Sequence, residues 1–132
     1  MENNKDNNLL QINLASVVLD SNDIQTLTDF YTRLLGWEKE YEEPGVWSSI
    51  ISPSKGTSIS FQSNEDYIPP VWPEEPGKQQ QMLHLDFSVG GKENLEAAVA
   101  HAIACGAVKA DNQYSEDWVV MFDPAGHPFC FV

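Results

Sequence analysis

Three histidines are the residues of this 132-residue chain best suited to proton transfer or metal binding. His84 lies in an apolar segment typical of a strand, where alternation places it on one face with Asp86 and opposite the neighbouring leucines. We interpret His84 as a hydrogen-bonded residue of a cleft or core in preference to a metal ligand, and as the best single pocket candidate. Asp86 either orients a ligand there or faces solvent. His127 precedes a proline in a turn, where a surface or turn-stabilising role is expected, and His101 is expected to face solvent.

Tryptophans recur along the chain together with glycines that end helices. Trp118 follows Trp47 by nearly the same interval as Gly106 follows Gly36, and both glycines close an apolar run at helical spacing. This repetition predicts two copies of one supersecondary unit. Paired units form a cleft between them, and clefts are where small molecules bind. The matching positions put both tryptophan rings toward one cavity or into the core, and the sequence leaves both options open.

The first unit is predicted to have the order βαβββ. A buried strand over 14–19 is followed by a helix whose N-cap is Asp23 and which ends at Gly36, a residue that tolerates the left-handed conformation. The helix carries one apolar stripe, which includes Phe30 and Tyr31. Three strands are predicted over 37–41, 46–51 and 57–62, separated by turns that contain proline and glycine.

The second unit repeats that order. Its strands are predicted over 82–89, 108–110, 118–122 and 128–132. The apolar stripe of its helix consists of Leu95, Val99, Ala102 and Ile103. The chain is therefore assigned to the α+β class, as a single domain over 11–132 built from two βαβββ modules. We assign 1–10 to a disordered tail, 11–62 to the first module, 63–81 to a connecting loop and 82–132 to the second module.

The connecting loop contains four prolines, which exclude a helix across most of it. Tyr67 and Trp72 make it too apolar for an idle linker, and a loop of this length in a small domain is more often functional or covering than empty. It either packs over a sheet edge or forms a wall of the cleft. Together with Phe61, these aromatic residues would line a cup without charged anchors, which suits a flat or apolar ligand. Gln62 and Asp86 are the polar groups expected to orient it.

Charge and composition exclude several classes of partner. Seven basic and twenty acidic residues give a formal net charge of −13, which repels nucleic acid and anionic membranes. No apolar run approaches the length of a membrane span, and the polar start of the chain lacks the apolar core of a signal peptide. Cys105 and Cys130 do not make a disulfide framework, so a reducing cytoplasm is expected. We interpret Cys130 as a buried small hydrophobe in preference to a reactive thiol.

The order and spacing of several short motifs resemble the vicinal oxygen chelate superfamily, which includes glyoxalase I, bleomycin-resistance proteins and extradiol dioxygenases. These motifs are Ser16-Val17-Val18-Leu19-Asp20, Leu34-Leu35-Gly36-Trp37 and Asp123-Pro124-Ala125-Gly126-His127-Pro128-Phe129. The stretch 67–73, with 80–86, is similar to a bacterial glyoxalase-like subgroup. The resemblance covers nearly everything after Leu10 and implies two modules whose sheets curl into a cup. It also implies a homodimer, and it leaves open whether the modules pair within one chain or between two.

The resemblance further implies where a metal would be held. Metal-dependent members of the superfamily place one ligand on the first strand and one on the last strand of each module, and their ion stabilises an enediolate-like charge. In this chain the positions fall on Ser16 and Ser60, with Gln62 as an alternative to Ser60, and on His84 and Cys130. This set departs from the superfamily's pattern of His or Gln and Glu. Because His84 and Cys130 alone are too few for a catalytic zinc site, no cofactor is assigned, and a divalent metal stays an option.

Three functional hypotheses follow. The first is a glyoxalase-like protein that binds a small organic molecule in the cleft without the usual metal. The second is a metal-dependent lyase, isomerase or dioxygenase, in which Glu42, Glu65 or Asp86 supplies carboxylates if the register is shifted. The third is a dimeric interaction module with a vestigial cleft. The candidate ligand-binding residues are His84, Trp47, Trp118, Gln62, Asp86, Phe61, Tyr67 and Trp72.

Overall fold

Two similar sets of helices and strands follow one another in the computed structural model, which describes residues 10–132. The predicted disordered tail lies outside the described residues except for Leu10. The elements are β1 (Ser16–Ser21), α1 (Ile24–Leu35), β2 (Glu38–Glu43), β3 (Trp47–Ile51), β4 (Ser58–Ser63), β5 (Leu85–Phe87), α2 (Leu95–Cys105), β6 (Val108–Lys109), β7 (Val119–Phe122) and β8 (Pro128–Phe131).

Each half of the chain forms one four-stranded sheet and contributes one long helix. The strand orders are β1-β4-β3-β2 and β5-β8-β7-β6. In both sheets the first strand pairs in parallel with the last, and the other neighbours are antiparallel. The predicted α+β class and the two βαβββ modules are confirmed. The first strand of each module, β1 or β5, is an edge strand of its sheet.

Local signals set the bounds of α1. The Asp23 carboxylate accepts a hydrogen bond from the Thr26 amide at 3.2 Å, which satisfies one of the free N–H groups of the first turn. Gly36 adopts a φ of 69°, and its N–H donates to the Thr32 carbonyl at 2.9 Å. The predicted cap and stop are confirmed. Among the described residues, no helix is long and apolar enough to cross a membrane.

An aromatic cluster beneath the two sheets joins the modules. Tyr31 of α1 is fully buried and stacks on Phe61 of β4, with ring centroids 5.8 Å apart. The same ring lies 6.3 Å from Phe87 and 6.2 Å from Phe129, both in the second module. Phe30 lies 6.0 Å from Phe129. Aromatic pairs at these separations add to the free energy gained by burying apolar area, so α1 stabilises the junction of the two modules.

Two predicted positions are corrected by their burial. The sequence places Phe61 in the cleft wall, but the structure places it in the shared core with no exposed surface. Side chains alternate along a strand, so Ser60 and Gln62 take the other face of β4. The sequence also places Ile103 in the apolar stripe of α2, but Ile103 is 51% exposed and Cys105, on the inner face of the helix, is buried.

The strand predicted over 82–89 is shorter than expected. Its pairing with β8 is limited to Leu85–Phe87. Met82 has a φ of 64°, a left-handed conformation that an extended strand does not contain. The chain therefore turns before β5 begins, and this turn belongs to the wall of the cavity described below. The other strands lie close to their predicted ranges.

The connecting loop covers the helix-free face of the second sheet. Trp72 of the loop and Trp118 both pack against a buried cluster that includes Val120 and Cys130. Val120 and Cys130 alternate along their strands with Met121 and Phe129, which belong to the shared core. The cluster therefore lies on the face of the sheet opposite α2. The Trp72 indole N–H donates to the Asn112 carbonyl at 3.5 Å. The loop also lines a cavity, which is one of the two roles that the sequence left open, and it packs over a sheet face and not over the expected sheet edge.

Candidate functional site

A cavity lies at the junction of the two modules. Its volume is about 400 Å³, within the range of sites that bind small organic molecules. β1 contributes Val18 and Asp20, the segment entering β5 contributes His84, and the turn before β8 contributes His127. The connecting loop supplies most of the remaining wall. The cavity is therefore built from both modules and from the segment that joins them.

A buried carboxylate organises one side of this cavity. The side chain of Asp123 is fully buried, and its Oδ2 accepts hydrogen bonds from the Tyr31 hydroxyl and from His127 Nδ1, both at 2.8 Å. Its Oδ1 accepts the backbone N–H groups of Ala125 at 2.9 Å and His127 at 3.0 Å. A buried carboxylate is costly unless it is hydrogen-bonded, and here four donors satisfy it. The network ties α1 of the first module to the last turn of the second.

His127 presents an oriented imidazole to the cavity. Because a carboxylate only accepts, Nδ1 donates the hydrogen bond to Asp123, and in the neutral form of the imidazole Nε2 carries a lone pair. Nε2 has no hydrogen-bond partner among residues 10–132. Tyr67 packs against the ring with centroids 5.3 Å apart, and its hydroxyl donates to the Ala125 carbonyl at 2.7 Å. The expected turn-stabilising role of His127 is confirmed, and the cavity gives its ring a second role.

Two tyrosine hydroxyls near this network stay protonated. Burial raises the pKa of Tyr31 well above its ordinary value, and the charge and hydrogen bond of Asp123 raise it further. Burial also raises the pKa of Tyr67, and the charges of Asp123 and Asp20 act in the same direction. Both causes disfavour the phenolate. Neither tyrosine is therefore a base near neutral pH, and each acts as a neutral hydrogen-bond donor.

Polar side chains of β1 and the connecting loop form another part of the wall. The Asp20 carboxylate accepts a hydrogen bond from Asn64 Nδ2 at 3.0 Å, and Asn64 Oδ1 accepts the Asp66 backbone N–H at 2.9 Å. Gln81 contributes a buried Oε1 that has no partner in the described part of the chain. A buried acceptor without a partner is costly, so a donor from a bound molecule would relieve it.

A second group of chemically active side chains lies near β5 and β8. A ring nitrogen of His84, an Asp86 carboxylate oxygen and Cys130 Sγ lie within 4.8 Å of one another, and His84 Nε2 is 3.2 Å from Asp86 Oδ1. Asp86 and Cys130 are cross-strand partners. Burial, followed by the charge and hydrogen bond of Asp86, raises the pKa of the Cys130 thiol to about 11. The thiol is therefore protonated near neutral pH and must lose its proton before it can bind a metal.

The implied metal positions divide between the modules. The hydroxyls of Ser16 and Ser60 hydrogen-bond to each other, and neutral hydroxyls supply no charge to an ion. His84 and Cys130 belong to the group described above, in which Asp86 is the third donor. One nitrogen, one oxygen and one sulfur ligand fit a borderline ion such as zinc and leave one coordination position open. The residues of the second module therefore fit a zinc ion when Cys130 is deprotonated.

The cavity brings two of the predicted binding residues together, His84 and Tyr67. Asp86 lies beside His84 and is more than half exposed. Both of its expected roles, orienting a ligand and facing solvent, therefore stay open. Their part in binding stays a prediction, whereas Phe61 is removed from the site by its place in the core.

The tryptophan positions do not converge on one cavity. Trp47 pairs across the strands with Gln62, and both line a separate open groove with Glu65. Trp118 lies with Trp72 on the covered face of the second sheet. The two matching tryptophans therefore have different surroundings: Trp118 shares a buried cluster with Trp72 of the connecting loop, whereas Trp47 lines an open groove beside the start of that loop.

Asp20, Gln81 and Asp123 are among the residues of the site that were not predicted as candidates from the sequence. Asp123 begins a turn and His127 follows four positions later, a spacing that lets one carboxylate bond both the backbone and the ring. That spacing was an available signal. Asp20 is a charged residue near the end of a mostly apolar strand, which also marks it. Gln81 carries no such signal within its polar loop.

Paired βαβββ modules with a cavity at their junction define the glyoxalase-like class of proteins. The model of the glyoxalase-like domain family matches residues 16–132. The chain belongs to this family, and the resemblance to the vicinal oxygen chelate superfamily is confirmed. No curated protein matches the chain.

Solved structures from several bacteria share the fold. A glyoxalase/bleomycin resistance protein/dioxygenase family enzyme from Burkholderia phytofirmans PsJN is 23% identical, with coverage of 91% of this chain and 97% of that chain and a TM-score of 0.68. A glyoxalase/dioxygenase from Nostoc punctiforme is 21% identical, with coverage of 99% and 95% and a TM-score of 0.65. A fosfomycin resistance protein from Listeria monocytogenes is 13% identical, with coverage of 92% and 89% and a TM-score of 0.64. At these identities the likeness establishes the fold alone.

Proposed function

We propose that this protein binds a small organic molecule in the cavity between its modules, and that this binding needs no metal. The observation that carries the proposal is the cavity of about 400 Å³, lined by both modules and bounded by the connecting loop. Apolar groups such as Val18 and Leu83 and polar groups such as Asp20 and His127 meet there. Sites for small molecules combine apolar walls with a few polar groups that fix the orientation of the ligand.

A substitution that fills the cavity tests this proposal. Val18 lines the cavity and is 41% exposed, so Val18→Phe adds a ring to the wall without disturbing the core. Val108→Phe is the matched control, because Val108 is also exposed but lies on β6 away from the cavity. A library of neutral and charged aromatic compounds is first screened against the wild-type protein by thermal shift.

Compounds that stabilise the wild-type protein are then measured against both variants. We expect them to stabilise Val108→Phe equally and to bind Val18→Phe at least about tenfold more weakly, because the added ring takes their space. Equal binding to Val18→Phe would place the binding site elsewhere and contradict the proposal. Circular dichroism of both variants controls for loss of fold.

The group His84, Asp86 and Cys130 supports a second candidate function, that of a metal-dependent lyase, isomerase or dioxygenase. Their three ligand atoms lie close enough to hold one ion. A divalent ion in that position would polarise an oxygen of the substrate and stabilise the negative charge that develops on it. Cys130 would have to release its proton on binding, so metal affinity would rise with pH.

Bound metal distinguishes the two candidates. Untagged protein is incubated with zinc, nickel, manganese or iron, desalted and analysed by mass spectrometry. Our proposal expects no retained ion near neutral pH. Retention of about one ion per chain, lost in His84→Ala and in Cys130→Ala, would favour the metal-dependent enzyme.

A cytoplasmic homodimer, with a domain over 11–132, completes the proposal. Cys105 and Cys130 are both free and buried, which suits a reducing compartment. Light scattering at micromolar concentration should give twice the chain mass of 14.8 kDa. A monomer at that concentration would contradict the dimer and would also remove the third hypothesis, that of a dimeric interaction module.

A further inference from the structure

Several side-chain donors around the cavity already form hydrogen bonds within the protein. The Tyr31 hydroxyl and His127 Nδ1 both donate to Asp123, and Asn64 Nδ2 donates to Asp20. These side chains belong to α1, to the last turn and to the start of the connecting loop, so the loss of donors affects several sides of the wall. No lysine or arginine lines the cavity within the described part of the chain. A bound molecule therefore meets no permanent positive charge, and the side-chain amides of Gln80 and Gln81 are among the donors left to it.

Acceptors remain free on the same wall. Gln81 Oε1 is buried without a partner, and His127 Nε2 has a lone pair that no described residue uses. The carboxylate of Asp20 takes one hydrogen bond from Asn64, which leaves most of its accepting capacity open. Asp66 adds a second carboxylate at the exposed edge. A carboxylate is an acceptor that also carries charge, so these groups favour a ligand that carries N–H donors and a positive charge.

Apolar side chains make up a further part of the wall. Val18, Ile68, Pro70 and Leu83 surround the space between the polar groups. The chain as a whole carries a formal charge of −13, which attracts cations and repels anions at long range. The cavity therefore combines space for an apolar body with acceptors for a cationic head.

We infer that the ligand of this cavity is a small organic cation, a protonated amine or amidine on an apolar or aromatic body. Its N–H groups donate to the Asp20 carboxylate and to His127 Nε2, and Asp66 adds attraction at the cavity edge. Asp123 acts as a positioning residue, since it fixes the His127 ring with its acceptor nitrogen free. The inference rests on the proposed function, because it names the class of ligand for the same cavity.

Three probes of matched shape test the inference. Phenethylamine, 2-phenylethanol and phenylacetate share a phenyl body and differ in carrying an ammonium, a hydroxyl or a carboxylate group. Their affinities are measured by calorimetry near neutral pH and low ionic strength. We expect the amine to bind at least about tenfold more tightly than the alcohol, as one charge-assisted hydrogen bond provides, and the carboxylate to bind most weakly.

Substitutions of acidic residues test whether the cavity causes the preference for the amine over the alcohol. We expect Asp20→Asn to weaken binding of the amine about tenfold and to leave binding of the alcohol unchanged, because it removes charge and keeps shape. Asp66→Asn should have a smaller effect in the same direction, and it serves as the second test if Asp20→Asn fails to fold. Asp111→Asn is the matched control, since Asp111 is exposed and lies outside the cavity.

The two proposals fail in different ways. No binding of the amine, equal or tighter binding of the alcohol or carboxylate, or amine binding that neither carboxylate variant weakens would overturn the cationic ligand. Such a result leaves the binding function to be decided by neutral compounds and Val18→Phe. If neutral compounds bind and Val18→Phe expels them, the binding function stands and only the charge assignment is wrong.

Discussion

Replacement of Tyr31 by phenylalanine isolates the hydrogen bond that crosses the two modules. The ring contacts with Phe61 and Phe129 stay, and the Asp123 carboxylate loses one of its four donors. A hydrogen bond to a charged group contributes about 1.5–3 kcal/mol, so we expect the free energy of unfolding to fall by about 2 kcal/mol. With a urea slope of about 1.5 kcal/mol/M, the midpoint would fall by about 1.3 M. Urea unfolding followed by circular dichroism measures both quantities.

Tyr67→Phe is the matched control for that substitution. Its hydroxyl donates to the neutral carbonyl of Ala125 at 2.7 Å, and its ring is only partly buried. A hydrogen bond to a neutral acceptor contributes about 1 kcal/mol or less, so the control should cost about half as much as Tyr31→Phe. If Tyr31→Phe costs no more than Tyr67→Phe, the buried carboxylate does not depend on the hydroxyl of α1 and the reasoning fails. An unchanged slope confirms that the two variants unfold like the wild type.

Three other substitutions have outcomes that the structure fixes. Trp72→Ala should lower the free energy of unfolding by about 2 kcal/mol in urea, because its ring covers the second sheet; an unchanged midpoint contradicts that packing. In Cys105→Ser protein, labelling of Cys130 by iodoacetamide should stay slow until the pH nears 11, since burial and then Asp86 suppress the thiolate; fast labelling at neutral pH refutes this. Gly36→Ala meets no atom within 4 Å but strains a left-handed residue, so calorimetry should show a loss of about 1 kcal/mol, or about 3 °C; no loss argues against the assigned φ.

The parts of the fold that depend on local signals were predictable from the sequence. Asp23 and Gly36 mark the ends of α1 because a cap oxygen and a left-handed residue each act on backbone groups that lie within four positions along the chain. The two modules were also predictable, because the apolar runs and the glycines that end them repeat along the chain. The late start of the strand predicted over 82–89 was not predictable, because the left-handed conformation of Met82 is unusual for a residue with a side chain.

The site depends on contacts that are distant in the chain, and this limits what the sequence predicts. Tyr31 and Asp123 are separated by 92 positions, yet they share one hydrogen bond. From the apolar stripe of α1, the sequence predicts only that Tyr31 is buried in the core. From the turn motif, it predicts only a local role for Asp123. Neither pattern contains the other residue, so the network appears only when the modules pack.

The face of a strand on which each side chain lies was partly predictable from the sequence. Alternation correctly puts His84 and Asp86 on one side, and the two lie 3.2 Å apart. The cleft position predicted for Phe61 is wrong because an aromatic side chain suits a core and a cavity equally, and only the packing of α1 against β4 decides between them. Trp47 and Trp118 have matching positions but unlike neighbours, since the loop that covers one of them has no counterpart in the first module.

The cavity lies between the two sheets, at edges that no backbone hydrogen-bond ladder joins within residues 10–132. β1 and β5 are edge strands of separate sheets, both contribute to its wall, and no strand ladder connects them within the described residues. The distance between these edges can therefore change without breaking a backbone hydrogen bond of either sheet, while the aromatic core around Tyr31 keeps the halves associated. In the proposed binding role, substitutions along the margin of this gap would alter the size of the ligand at little cost to folding. One scaffold can in this way acquire new ligands by small steps.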